Sequence, residues 1–320
     1  MSRLMDVGEK AAVEDLIRLA GSCSGIGPGD DAAAVDLGDR YLVITTDMIA
    51  KHTHVPDIMT PKQVGWTVAA VNYSDIAAMG AVPLCFVVSM GFPKETELSY
   101  VKDVARGIKE CSETVAADYV GGDTKECYEM VLSGTAIGTV RKDGILLRSG
   151  ARPGDLLAMT GCAGLAGAGF EDLSLDAEHP RARKALMEPI PRVKEAALLS
   201  ASGFVTSCMD TSDGLASSIH EMSRASGINF LLNWDSIPIP GDVYEISELK
   251  LLHVEDLVLY SGGDYQLLFT VKRESVEDLH QMMGKDFTVI GEVRENGSNV
   301  VRRSGQLLPL ENKGFEHFRG

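Results

Sequence analysis

The hydrophobic positions change rhythm several times along the chain. RYLVITTD (40–47) is apolar and β-branched and predicts a strand that stops at Asp47. PLCFVVSMGF (83–92) and YEMVLSGTAIGTV (128–140) predict two more buried strands. Between the first two, TPKQVGWTVAAVNYSDIAAMGA (60–81) switches to a helical period, with Thr60 placed to cap it and Pro61 at its first position. A second helix is expected from roughly Glu97 to Ala116, ahead of DYVGGDT. RSGARPGD (148–155) breaks the pattern with Gly and Pro. Beyond it come the strand DLLAMTG, a long helical region to about Ser202, the strand VTSCMD and the helix SDGLASSIHEMSRAS. DLVLYS, DYQLLFTV and FTVIGEV predict further strands. The pattern is that of an α/β protein of two domains, 1–147 and 148–320.

Asp75 interrupts this pattern in an informative way. Val64, Val68, Val71 and Asp75 fall on one stripe of the predicted helix, so a carboxylate shares a side with three valines. A buried carboxylate needs a partner, yet no basic residue occurs between Lys62 and Lys94. Either backbone amides satisfy it, or it is a metal ligand or catalytic group.

Other acids recur among small residues in GIGPGDDAA (25–33), TTDM (45–48), VGGDTK (120–125), MDTSDGL (209–215) and YSGGDYQLLFT (260–270). Each has a plain reading. Asp30 and Asp31 suit a surface turn, Asp47 and Asp123 a turn after a strand, and Asp210 and Asp213 the capping of the next helix. Taken together, clustered Asp with Thr or Ser oxygens suits hard cations, and Mg²⁺ in particular, which keeps substrate phosphates in its shell. No cluster of His and Cys competes for a softer metal. The chemistry implied is phosphoryl transfer, where positioning and charge neutralisation do most of the work.

Composition narrows the classes further. With 45% hydrophobic residues the chain can fill a real core, and its formal charge of −16 argues against nonspecific nucleic-acid binding. No apolar run approaches the ~20 residues of a membrane span. MSRLMDVGEKAAVEDLIRLA carries acids throughout and reads as an amphipathic helix, not a signal peptide. Six scattered cysteines (Cys23, Cys85, Cys111, Cys127, Cys162 and Cys208) contain no CxxC pair, and a reduced, cytoplasmic setting is expected. GCAGLAGAG (161–169) lacks the G-x-G-x-x-G spacing, and no P-loop motif occurs. His52 and His54, by themselves, read as a solvated pair ahead of a functional one.

GDDAA, TTDM with His54 seven residues after Asp47, the 60–81 segment, GGDT, MDTSDGL, GGDYQLLFT and the closing KGFEHF occur in an order that resembles the thiamine-monophosphate kinases, over nearly the whole chain. The resemblance implies the fold of aminoimidazole ribonucleotide synthetase, with an N-terminal sheet that pairs with its copy in a homodimer. It implies transfer of the γ-phosphate of ATP to thiamine monophosphate, with Mg²⁺ and without a phosphoenzyme. By the same resemblance Asp30, Thr45, Thr46, Asp47, Asp75, Asp123, Asp210 and Asp213 are metal ligands. Tyr100, Gly122, Asp123, Arg148 and Ser212 contact the nucleotide, and His54, Asp264 and Phe315 contact the acceptor. Gly263 and Gln266 stand where many members carry Glu. Other enzymes of this fold are the competing readings: a selenophosphate synthetase would need a reactive cysteine near the N-terminus, for which Cys23 is the candidate, and a hydrogenase-maturation dehydratase would need a C-terminal cysteine where this chain ends HFRG. A non-catalytic nucleotide- or cation-binding protein is the third reading.

Overall fold

The computed structural model describes residues 3–20, 25–175 and 179–318. Cys23 lies outside the described residues. The chain opens with a short turn of helix, α1 (Leu4–Val7), and α2 (Glu9–Ala20). Strands β1 (Gly25–Ile26), β2 (Ala33–Asp36) and β3 (Arg40–Ala50) follow, then α3 (Lys51–His54) and α4 (Pro61–Ala78). After these come β4 (Val82–Phe92), α5 (Leu98–Thr114), β5 (Asp118–Glu126) and β6 (Val131–Arg141). The six strands form one sheet in the order β1-β2-β3-β6-β4-β5, in which β4 and β5 are the parallel pair. Asp47 is not at the end of its strand, as the pattern predicted. β3 runs three residues further, because the ladder to β6 continues through Ala50↔Val131.

α4 starts as the sequence predicts. The Thr60 hydroxyl accepts the Gln63 amide, Gln63 reciprocates, and Pro61 fills the first position. It is not the one-sided helix that the valine stripe suggested. Thirteen of its 18 residues are buried, as expected of a helix enclosed on all sides. One side lies on the sheet. On another, α5 approaches so closely that a Cβ at Gly65 or Gly107 would sit 1.9 Å from a backbone oxygen of the facing helix. A third contacts the second half of the chain, where Trp66 Nε1 donates to Pro189 O (2.7 Å) and Thr67 Oγ1 to Met187 O (3.1 Å).

The second half begins with β7 (Leu156–Thr160). The predicted long helical region is three helices, α6 (Leu165–Asp172), α7 (Pro180–Met187) and α8 (Val193–Ser202). Next are β8 (Val205–Asp210), α9 (Leu215–Ser226), β9 (Asn229–Asn233) and α10 (Gly241–Lys250). β10 (Leu267–Val271), α11 (Val276–Met283), β11 (Phe287–Arg294), β12 (Val300–Arg303) and β13 (Gln306–Pro309) complete it. The sheet order is β13-β12-β9-β11-β7-β10-β8, antiparallel except for β12 and β9. DLVLYS is not a strand. Asp256–Tyr260 forms a π-helical turn with Leu257, Val258 and Leu259 all buried, and a short, continuously apolar run does not distinguish the two. Among the described residues no helix is long and apolar enough to cross a membrane.

Candidate active site

The site forms where α4 meets both halves of the chain. Alternation along β3 turns Thr45 and Asp47 toward α4 and turns Thr46 and Met48 to the other face of the sheet. Thr45 Oγ1 donates to Asp75 Oδ2 (2.6 Å), and the Asp47 amide donates to Asn72 Oδ1 (2.8 Å), whose own amide is held by Val68 O. One residue before Asp75, Ser74 Oγ donates to Asp210 Oδ2 (2.5 Å) at the end of β8. The other oxygen of Asp210 accepts the Ser212 amide (3.1 Å) and hydroxyl (2.7 Å). Asp210 and Asp213 do not cap α9, whose N-cap is Gly214 with no side-chain bond.

A third carboxylate completes the cluster. Asp31, Asp75 and Asp210 each offer an oxygen within 4.8 Å of the others. Arg148 Nη2 donates to Asp31 Oδ1 (2.9 Å), while Asp31 Oδ2 is buried without a partner. The sequence reading gave a role to Asp30, which instead accepts the Arg148 amide (3.2 Å) beside the cluster. Only the Asp-Asp doublet signalled Asp31, and a doublet does not say which of its members turns inward.

Electrostatics match this crowding. Burial raises Asp75 well above its usual range, and Asp47, Asp210 and Asp31 add to the shift. Burial and then Asp31 raise Asp210, against the pull of Ser74 and Ser212. Asp47 keeps an exposed edge but is hemmed in on its inner side. Desolvation, then Asp210 and Asp213, push it up to about 6. Asp30 and Asp213 also rise to about 6, in both cases mainly through burial. These acids are held together at a cost that a cation would relieve. The orphaned oxygen of Asp31, the all-oxygen donor set and the convergence of three carboxylates fit Mg²⁺.

A second group of residues lies beside Asp213. The Phe315 amide donates to Asp213 O (3.0 Å), and a Cβ at Gly314 would meet that oxygen at 2.5 Å, so the C-terminal tail runs tightly against this loop. His317 links Phe315 (ring centroids 4.8 Å apart) to His54 (5.0 Å). The two residues expected at the acceptor, from opposite ends of the chain, are thus joined by one the sequence reading did not assign. α2 braces the tail: Glu9 Oε2 accepts the His317 amide (3.0 Å), and Lys10 Nζ reaches Ser217 Oγ (2.7 Å) and Asp213 (4.0 Å).

Three expected residues stand apart from the cluster. Thr46 Oγ1 faces the other side of the sheet and donates to Gly134 O (2.7 Å). Asp123 lies in the cross-strand row Met48–Ser133–Ser89–Asp123, also on that open face, and pairs with Lys125 (3.3 Å). Three strand spacings, ~14 Å, separate its strand from β3. Asp264 spends both oxygens on the first turn of α6, accepting the amides of Gly164 (2.5 Å) and Ala166 (2.9 Å). Tyr100 lines a cavity of about 440 Å³ with Lys51, Phe92, Tyr128 and Met130. This cavity opens beside the end of β3, three residues, ~10 Å, beyond Asp47.

Comparison with known proteins places this geometry in a family. The family described as AIR synthase related protein, N-terminal domain, matches residues 29–140, and its C-terminal domain matches 152–304. A thiamine-monophosphate kinase of Pyrococcus horikoshii is 35% identical over 294 residues, covering 91% of each chain. A solved structure described as AaThiL complexed with AMPPCP and TMP superposes with a TM-score of 0.88 at 27% identity, covering 99% of both chains. The Escherichia coli hydrogenase maturation protein HypE, at 20% identity, TM-score 0.72 and coverage of 95% and 97%, shares the fold alone.

Proposed function

This chain belongs to the thiamine-monophosphate kinases of the AIR synthase related family, and on that premise we propose how its acidic cleft serves the reaction. The chain transfers the γ-phosphate of ATP to thiamine monophosphate, forming thiamine diphosphate. The observation that carries the reading of the site is the convergence of Asp31, Asp75 and Asp210 from three distant segments. With Asp30, Asp47, Asp213 and Thr45 around them, these residues would hold Mg²⁺, which supplies charge neutralisation to the phosphates. Arg148 holds Asp31 in place, and Ser74, Thr45 and Ser212 orient the inner carboxylates through their hydroxyls.

The cavity beside Tyr100 takes the base of ATP, from which the triphosphate extends along β3 toward Asp47. His54, His317 and Phe315 form the aromatic wall for the acceptor, whose cationic thiazolium is attracted to ring faces. Direct transfer is the simplest route. The Cys111 and Cys208 thiols are buried and pushed up by that burial, so neither is an available thiolate. Asp264 acts through α6 and not by touching the acceptor.

Val35, Met48 and Val82 are exposed on the sheet face turned away from α4 and α5, and Leu84 and Val120 are exposed on the same sheet. A second copy covering that face gives a homodimer and brings Thr46 into the interface, while Asp123 on the edge strand stays open to the phosphates of the nucleotide. The domain boundary is drawn at 147/148, between β6 and β7. Five described cysteines are unpaired, which suits a cytoplasmic protein.

The test is a coupled assay for thiamine diphosphate from ATP and thiamine monophosphate, with Mg²⁺ and with EDTA. Product only with Mg²⁺ is expected, and product in EDTA refutes the metal reading. Incubation with labelled ATP alone should leave the denatured protein unlabelled, and stoichiometric label refutes direct transfer.

A further inference from the structure

Tyr265 belongs to the GGDYQ stretch, yet none of the roles above uses it. Its backbone is unusual: φ is +47°, a left-handed conformation that is rare for a bulky aromatic residue and carries strain. Both sides of it are stapled to the loop that follows β8. The Gly263 amide donates to Ser212 O (2.8 Å), the Thr211 amide to Gln266 O (2.9 Å), and the Gln266 amide to Thr211 Oγ1 (3.0 Å). Asp264, next to it, is anchored on α6. The neighbours therefore impose the strained conformation, and they aim one side chain.

The register shows where it is aimed. Leu267 pairs with Asp210 at the end of β10, so Tyr265 lies just beyond that pair, alongside residues 211–213. Burial raises its phenol well above the usual range, and the charges of Asp47, Asp210, Asp75 and Asp213 add to the shift. Among the described residues no hydrogen-bond acceptor is taken by this hydroxyl. The loop it is stapled to joins Asp210 of the Asp31–Asp75–Asp210 cluster to Asp213, whose carbonyl holds the tail bearing Phe315. A molecule with its rings against Phe315 and its reacting end at the cluster spans the 211–213 loop, alongside which Tyr265 lies. A phenol is a neutral donor near neutrality and accepts no metal charge that the carboxylates do not already offer. Amid acids it can serve only an anion that arrives with its own cations.

We propose that Tyr265 is an acceptor-binding residue, whose phenolic O–H donates to an oxygen of the monophosphate of the acceptor and holds that group toward the carboxylate cluster. This rests on the kinase reading above and adds a phosphate-recognition residue to it.

Tyr265→Phe tests it, because the ring and its packing stay and only the O–H goes. The variant and wild type are assayed at saturating ATP and Mg²⁺ with varied thiamine monophosphate. Each is also titrated, with a non-hydrolysable ATP analogue and Mg²⁺ bound, with thiamine monophosphate and with thiamine, which lacks the phosphate. Loss of a hydrogen bond to a charged group should weaken thiamine monophosphate binding about tenfold or more. The KM for ATP and the affinity for thiamine should stay within about twofold. Unchanged binding of thiamine monophosphate overturns the proposal, and so does an equal loss for thiamine. Tyr265→Asn, whose side chain tolerates left-handed backbone, is the folding control. It should melt no lower than Tyr265→Phe and lose the same phosphate selectivity, and retained selectivity overturns the proposal. A wild-type protein that binds thiamine monophosphate in preference to thiamine but makes no product would sink the kinase reading and leave the role of Tyr265 measurable by titration.

Discussion

Gly-Gly-Asp occurs twice, at 121–123 and 262–264, and the two aspartates end in opposite surroundings. Asp123 stands exposed on an edge strand. The Thr124 amide and Lys125 hold its carboxyl below the usual range. Asp264 is enclosed on the N-terminus of α6, and burial raises it to about 6 in spite of the amides it accepts. The first is free to meet a ligand that arrives from outside. The second is already committed to the fold. A shared tripeptide thus carries no shared role, because a carboxylate does what the donors around it leave it free to do.

The largest expected effect separates the two directly. If Asp123 serves the phosphates and Asp264 only the fold, Asp123→Asn should cut kcat by about a hundredfold or more, in line with the loss of a preorganised electrostatic contact, and leave thermal unfolding of the free protein unchanged. Steady-state rates with a melting curve check this. An active Asp123→Asn that melts early would invert the comparison.

Asp264→Ala is the reciprocal test. It strands the first-turn amides of α6, which should cost about 1–3 kcal/mol in denaturant unfolding. Turnover per folded molecule and the KM for thiamine monophosphate should change little. A selective rise in that KM would return Asp264 to the list of acceptor contacts.

Asp75 sharpens the contrast, since it is half-buried and, among the described residues, only the Thr45 hydroxyl donates to it. On the reading proposed above, its charge is kept for a cation and not spent on a helix. Asp75→Asn should therefore stabilise the EDTA-treated protein, by about 1 kcal/mol, and gain less than wild type from Mg²⁺ with an ATP analogue. A lower melting point in EDTA and an undiminished gain from ligand would mark Asp75 as a structural carboxylate.

The smallest effect is in pH. A carboxyl raised from 3.8 to about 6 binds its proton more tightly in the folded protein. Its stabilising contribution is full below the unfolded value and is lost as pH rises through about 6. Asp264, and likewise Asp30, Asp47 and Asp213, should make the metal-free protein less stable at pH 7.5 than at pH 5. Asp123, shifted downward, has the opposite sign: its contribution is present above the usual range and fades as pH falls through its lowered value. Carboxyl NMR titration reads both, and an Asp264 midpoint near the usual value would remove the difference between them.

Short-range chemistry made much of this protein legible in advance. Thr60, Pro61 and Gln63 specify the start of α4 through contacts within one turn, and the β-branched runs become β3, β4 and β6. The acidic stretches, His54, the 60–81 segment and the closing KGFEHF, in a fixed order, also sufficed for the family. What packing decides was not legible. Asp31, Asp75 and Asp210 are separated by 44 and then 135 positions, and only the docking of α4 against both sheets brings their oxygens within 4.8 Å. The pleat sends Thr46 and Asp123 to the face opposite Thr45 and Asp47, which a strand's letters show only once its register is known. Tyr265 reads as one more aromatic in a strand until the staples to residues 211–212 force its φ positive. Local propensity acts over a few residues, whereas the partner that satisfies a buried charge, or leaves it waiting, comes from wherever the chain folds back. The sequence alone therefore determined many of the elements, the acidic inventory and the family. The tertiary structure alone decided which acids meet, which are spent on the fold and which side chain is aimed between them.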